Sequence, residues 1–151
     1  MRYAELYERL LEIPADNYVM HGSPHALTVI EPRQSKRTDV PAYGQFGVYA
    51  TVCIEVALLY ATIQTSRDEW GFAPQADGAT VLDVRVPLGF AHGPGFIYIL
   101  PEGEFEQVVP YSFVARKPVC PVEVLTVDAD VLYEMIERNI IVVGIYDPAL
   151  T

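Results

Sequence analysis

The sequence predicts an α+β fold, because its hydrophobic period changes along the chain. Near the N-terminus Tyr3, Leu6, Tyr7, Leu10 and Leu11 recur at helical spacing. In the second half Leu82, Val84 and Val86 alternate with Val81, Asp83 and Arg85, as the two faces of a strand do. Residues 96–100 read FIYIL, a continuous apolar run suited to a central strand covered on both sides.

Taken in order, the elements follow from these periods and from the punctuation between them. The first helix is amphipathic and short, and Pro14 stops it. A strand over residues 17–21 leads into a long Pro-, Gly- and polar-rich segment, residues 22–47, with order expected only near 27–30. A strand over 47–51 ends at Thr51, read as the cap of a helix carrying Val52, Val56, Leu59 and Ile63 on its apolar face. Residues 66–78 are polar and read as loop. Pro110 and Pro118 bracket a strand over 111–117, and 122–127 forms another. Asp128 or Asp130 then caps a helix bearing Val131, Leu132, Met135 and Ile136, and a strand over 140–145 follows. With no internal repeat or linker, residues 1–151 are read as one domain.

Composition narrows the function. The chain has 151 residues, 51% of them hydrophobic and 11% aromatic, enough for a sizeable core and unlike a disordered tail. Its 10 basic and 20 acidic residues give a formal charge of -10, so it repels phosphate backbones at long range and nucleic acid is a poor partner. Arg33, Lys36 and Arg37 form the one local basic cluster, and its plain reading is a solvated loop. Cys53 and Cys120 stand far apart with no ligand pattern around them, so neither a disulfide framework nor a metal site is indicated. No run of about 18 apolar residues occurs, and with no export signal the expected location is cytoplasmic, without a membrane association.

The densest chemical signal is YVMHGS over residues 18–23. An apolar strand that runs out into His21, Gly22 and Ser23 offers an imidazole, a side-chain-free backbone edge and a hydroxyl in succession. A flat ligand can lie against the glycine. Gly47-Val48-Tyr49-Ala50-Thr51 adds a strand tyrosine, and Tyr60 follows it eleven positions on.

This set resembles the ADP-ribosyltransferase superfamily, in the branch whose signature is His, Tyr and an acidic residue and to which the poly(ADP-ribose) polymerases belong. The likeness rests on motifs over residues 18–61 and on strand pattern alone over 79–127. It implies a split β-sheet core flanked by short helices, with NAD+ as co-substrate and a protein or small molecule as acceptor. By the same resemblance His21 bonds the adenine-side ribose, the Gly22 backbone pairs with the nicotinamide carboxamide and Ser23 supports that end. Tyr49 and Tyr60 then sandwich the ring, and Arg33 reaches the pyrophosphate from the long loop.

The third signature residue is where the chain departs from the family. The preferred register places Ser112, in Tyr111-Ser112-Phe113-Val114-Ala115, at the position of the family's glutamate. A serine holds a hydroxyl but brings no negative charge to an oxocarbenium-like transition state. A second register uses Glu104-Phe105-Glu106, which resembles the E-x-E turn of arginine-directed ADP-ribosyltransferases. Alternation would then set Glu104 and Glu106 on one face of a strand, with Glu106 as the acid and Glu104 orienting the acceptor.

Each feature also has a plain structural reading. His-Gly-Ser is a common turn, Tyr49 a half-buried strand aromatic and Tyr60 a core residue; Glu102, Glu104 and Glu106 would be a solvated edge that discourages strand pairing. Gly22 and Pro24 forbid a helical zinc pair between His21 and His25, and His92-Gly93 reads as a bend. Three functions remain: an ADP-ribosyltransferase, a catalytically weakened NAD+- or ADP-ribose-binding domain, and an RNA 2′-phosphotransferase-like protein. The acidic balance fits the last of these worst.

Overall fold

The computed structural model of the chain describes residues 1–14, 16–34, 46–64, 70–74, 80–84, 92–109 and 112–145. Lys36, Arg37, Arg85, Val86, Pro110 and Tyr111 lie outside the described residues. The elements in chain order are α1 (Tyr3–Leu11), β1 (Tyr18–Ser23), β2 (Arg33–Gln34), β3 (Phe46–Thr51), α2 (Ile54–Thr62), β4 (Trp70–Pro74) and β5 (Thr80–Val84). They continue with β6 (Gly95–Pro101), β7 (Glu106–Val109), β8 (Ser112–Ala115), β9 (Glu123–Val127), α3 (Val131–Glu137) and β10 (Ile141–Ile145). This is an α+β architecture. The main sheet is antiparallel in the order β7-β8-β3-β1-β6-β9, with β2 added to β3. A smaller sheet runs β10-β5-β4, its β10–β5 pair parallel.

β6 is the strand that the FIYIL run demands. Ile97, Tyr98, Ile99 and Leu100 are all buried, and β1 and β9 flank the strand. Alternation sends Ile97 and Ile99 to a core shared with α1, α2 and α3, and Tyr98 and Leu100 to a second core with Val19, Ile30, Val48 and Phe113. The main sheet thus has an apolar cluster on each face.

α2 is apolar nearly all round, which suits a helix set deep against the sheet. Its backbone crosses the strands at two glycines. A Cβ on Gly22 would lie 2.0 Å from the Ala57 carbonyl oxygen, and one on Gly95 1.9 Å from that of Ala61. These strands carry glycine because helix backbone occupies the side-chain position. α3 ends in a left-handed residue, Asn139 at φ 59. There the Ile140 amide donates to Met135 O and the Asn139 amide to Ile136 O, the paired bonds that close a helix C-terminus.

Three expectations are corrected. Thr51 belongs to β3, and its hydroxyl accepts the Cys53 amide at 3.0 Å, turning the chain ahead of α2 while Cys53 takes the cap position. Asp130 stands at the start of α3 without a side-chain cap bond, and Asp128 instead receives the Met1 amino group at 3.0 Å. Residues 70–74, read as loop, form β4 against β5. Among the described residues no helix is long and apolar enough to cross a membrane.

Candidate functional site

Of the candidate residues, His21, Gly22 and Tyr49 meet where β1 and β3 part. Met20 and Thr51 are the registered pair between these strands, while β1 continues along β6 through His21–Tyr98, Gly22–Ile97 and Ser23–Phe96. Past Met20 the His21 Nδ1 lies 2.6 Å from the Tyr49 carbonyl oxygen, where a continuing ladder would supply a main-chain donor. A carbonyl only accepts, so Nδ1 carries the proton and Nε2 of the neutral ring presents a lone pair.

The electrostatics keep the ring neutral. Burial holds the His21 ring below its ordinary value of 6.5; the bond to Tyr49 opposes the shift and the positive charge of Arg33 adds to it. Arg33 itself is exposed on β2, opposite Gly47. The imidazole is therefore neutral at pH 7 and serves as a hydrogen-bond acceptor.

Sheet register sorts the other candidates by face. Glu106, Val114 and Tyr49 are successive cross-strand partners on β7, β8 and β3, and so share a row and a face. Ser112, Thr51 and Met20 make the neighbouring row on that same face. Gly22, two residues beyond Met20 on β1, joins this face, where α2 backbone fills the space in which a flat ligand was expected to lie against the glycine; what the site keeps of Gly22 is its main-chain edge. His21 projects to the opposite face, beside Tyr98. Two inter-strand spacings put Glu106 about 10 Å from Tyr49 along the row. Ser112 is one strand away, diagonal to Tyr49. Tyr60 is 37% exposed on α2, next to Ala61, whose amide nitrogen would be 2.9 Å from a Gly22 Cβ.

Two residues are engaged differently from expectation. Ser23 is buried, and its Oγ accepts the His25 amide at 3.1 Å, forming the turn that follows β1. Glu104 lies in a short 3-10 turn over Glu102–Glu104 and pairs with Lys117 at 2.9 Å. Glu104 and Glu106 therefore do not share a strand face: the strand begins at Glu106. The turn signals were Pro101 and Gly103, which override simple alternation.

Tyr98 is the site residue that sequence reasoning missed. Its ring is 6.3 Å from that of His21, inclined at 47°, and its buried hydroxyl is used twice. It donates to the His25 carbonyl at 2.5 Å and accepts the Leu27 amide at 2.7 Å. The available signal was a tyrosine inside a continuous apolar strand, since a buried phenol needs a partner.

An apolar hollow of about 320 Å³ opens between α1, β1 and the start of α2. Met20, Val52, Leu10 and Ile54 are among its lining residues, and it takes in none of the nine candidates. In comparisons with protein-family models, curated proteins and solved structures, no match to this chain is found.

Proposed function

We propose that the chain binds NAD+ and acts as an ADP-ribosyltransferase-like protein, moving ADP-ribose to an unidentified protein or small-molecule acceptor with release of nicotinamide. The observation that carries this reading is the 2.6 Å bond from His21 Nδ1 to the Tyr49 carbonyl. It couples the two motif strands through the signature histidine and leaves Nε2 as an acceptor for a ribose hydroxyl. In this reading the Gly22 edge receives the carboxamide, Tyr49 and Tyr60 stack on the pyridinium and Arg33 neutralises pyrophosphate. Stacking and attraction of the cationic ring to the aromatic faces contribute on the order of 1 kcal/mol each.

Cleavage of the nicotinamide–ribose bond leaves positive charge on the sugar, and a carboxylate close to it lowers the barrier. Glu106 is the acid on the Tyr49 row and is assigned that role, with Ser112 holding a ribose hydroxyl. A second reading, a binding domain with weakened catalysis, is favoured by one observation: Ser112 is on the strand next to Tyr49, whereas Glu106 is a strand further out.

Nicotinamide release from NAD+ separates the two. The parent is expected to release it, Glu106→Gln about 100-fold more slowly with NAD+ affinity retained, and Ser112→Ala with a smaller loss. Release that survives in Glu106→Gln contradicts the assignment of the acid. A silent parent that still binds NAD+ establishes the binding-domain reading.

A further inference from the structure

Residues 24–29, which follow β1, make no backbone–backbone hydrogen bond among the described residues until Ile30 pairs with Val119. Two side chains tether this strap instead. Ser23 Oγ accepts the His25 amide, and the Tyr98 hydroxyl donates to the His25 carbonyl and accepts the Leu27 amide. Tyr98 is also the cross-strand partner of His21, so the ring that anchors the strap stands beside the imidazole on the same face of the sheet. Its aromatic body packs with Val19, Ile30, Leu100 and Phe113 and cannot shift to follow a displaced loop.

We propose that Tyr98 is a positioning residue for NAD+: through its hydroxyl it fixes the His25–Leu27 strap as the wall beside His21 that receives the adenine-side ribose. This rests on the proposed function. The division of the site follows from β1 itself: in the proposed reading the nicotinamide end meets the main-chain edge of Gly22 where β1 leaves β3, while the ribose end meets the side chains of His21 and Tyr98 on the face away from α2. Loss of the phenol hydroxyl should therefore weaken ligands that carry the adenine-side ribose and spare those that carry the nicotinamide ring alone.

Tyr98→Phe removes the hydroxyl and keeps the ring. In this variant the Leu27 amide should exchange with solvent at least tenfold faster than in the parent, while amides of β6 keep their protection. NAD+ and ADP-ribose should each bind about tenfold more weakly, from loss of a buried bond to an ordered wall, and benzamide, a nicotinamide mimic, should bind as to the parent. Unchanged Leu27 exchange overturns the tether. Equal affinity of parent and variant for NAD+, or a parallel loss for benzamide, overturns the positioning role alone. A parent that binds none of these ligands overturns the proposed function and this inference with it.

Discussion

A histidine kept neutral by its surroundings is useful to a ligand in one protonation state. His21 titrates below 6.5 in the fold because burial disfavours the imidazolium, so the unfolded chain takes up its proton first as pH falls. Its contribution to stability is whole above about pH 6.5 and is lost as pH drops through the lowered value. NAD+ affinity should follow the same course, constant from pH 8 to about 6.5 and weaker once Nε2 is protonated. Ring-proton NMR titration with parallel calorimetry checks this; a His21 midpoint at or above 6.5 contradicts it. That His21 ends one strand and Tyr49 lies on another was legible in the motifs; the bond that joins them was not. Tyr98 was not, because a phenol in an apolar run does not announce which loop it will bond. Glu104 and Glu106 part company because the turn signalled by Pro101 and Gly103 holds Glu104 ahead of the strand that starts at Glu106.

Among the elements, α1 shows how local sequence and tertiary context divide the work. Its apolar spacing was readable, and Tyr3, Leu6 and Leu10 are buried as that spacing requires. What satisfies its N-terminus was not, since the donor-acceptor pair spans the chain. Glu134 on α3 accepts the Tyr3 amide at 2.9 Å and Arg2 Nε at 2.7 Å, supplying the cap that α1 lacks in its own residues. Burial pushes the Glu134 carboxyl up, but the bonds from Arg2 and Tyr3 hold it below 4.5. Glu134→Gln should cost about 1 kcal/mol at pH 7, a fall in Tm of about 3 °C. The gap between parent and variant should close as pH falls below 4.5, where the carboxylate is protonated; thermal unfolding at pH 7 and pH 3 measures both. An equal gap at the two pH values contradicts the capping role. β4 escaped sequence reading because Gly71 and Pro74 argue against a strand, and pairing with β5 overrides propensity.

Across the whole molecule, the sheet separates two apolar clusters and places the candidate site at the seam between β1 and β3, where backbone pairing gives way to a side-chain bond. The α+β class and most strands were legible from period alone, since both depend on local alternation. Strand order was not, because β6, late in the chain, inserts beside β1 and fixes which residues share a face. The same order, through the β7-β8-β3 pairing, aligns Tyr49 with Glu106 and seats Ser112 one row away, the arrangement on which the proposed function draws. The central claim is that this seam holds NAD+, and calorimetric titration of the parent, His21→Ala and Tyr49→Ala tests it most directly, with circular dichroism to verify folding. NAD+ should bind the parent at one site and each folded variant at least tenfold more weakly; no binding by the parent, or equal binding by all three, would contradict the account.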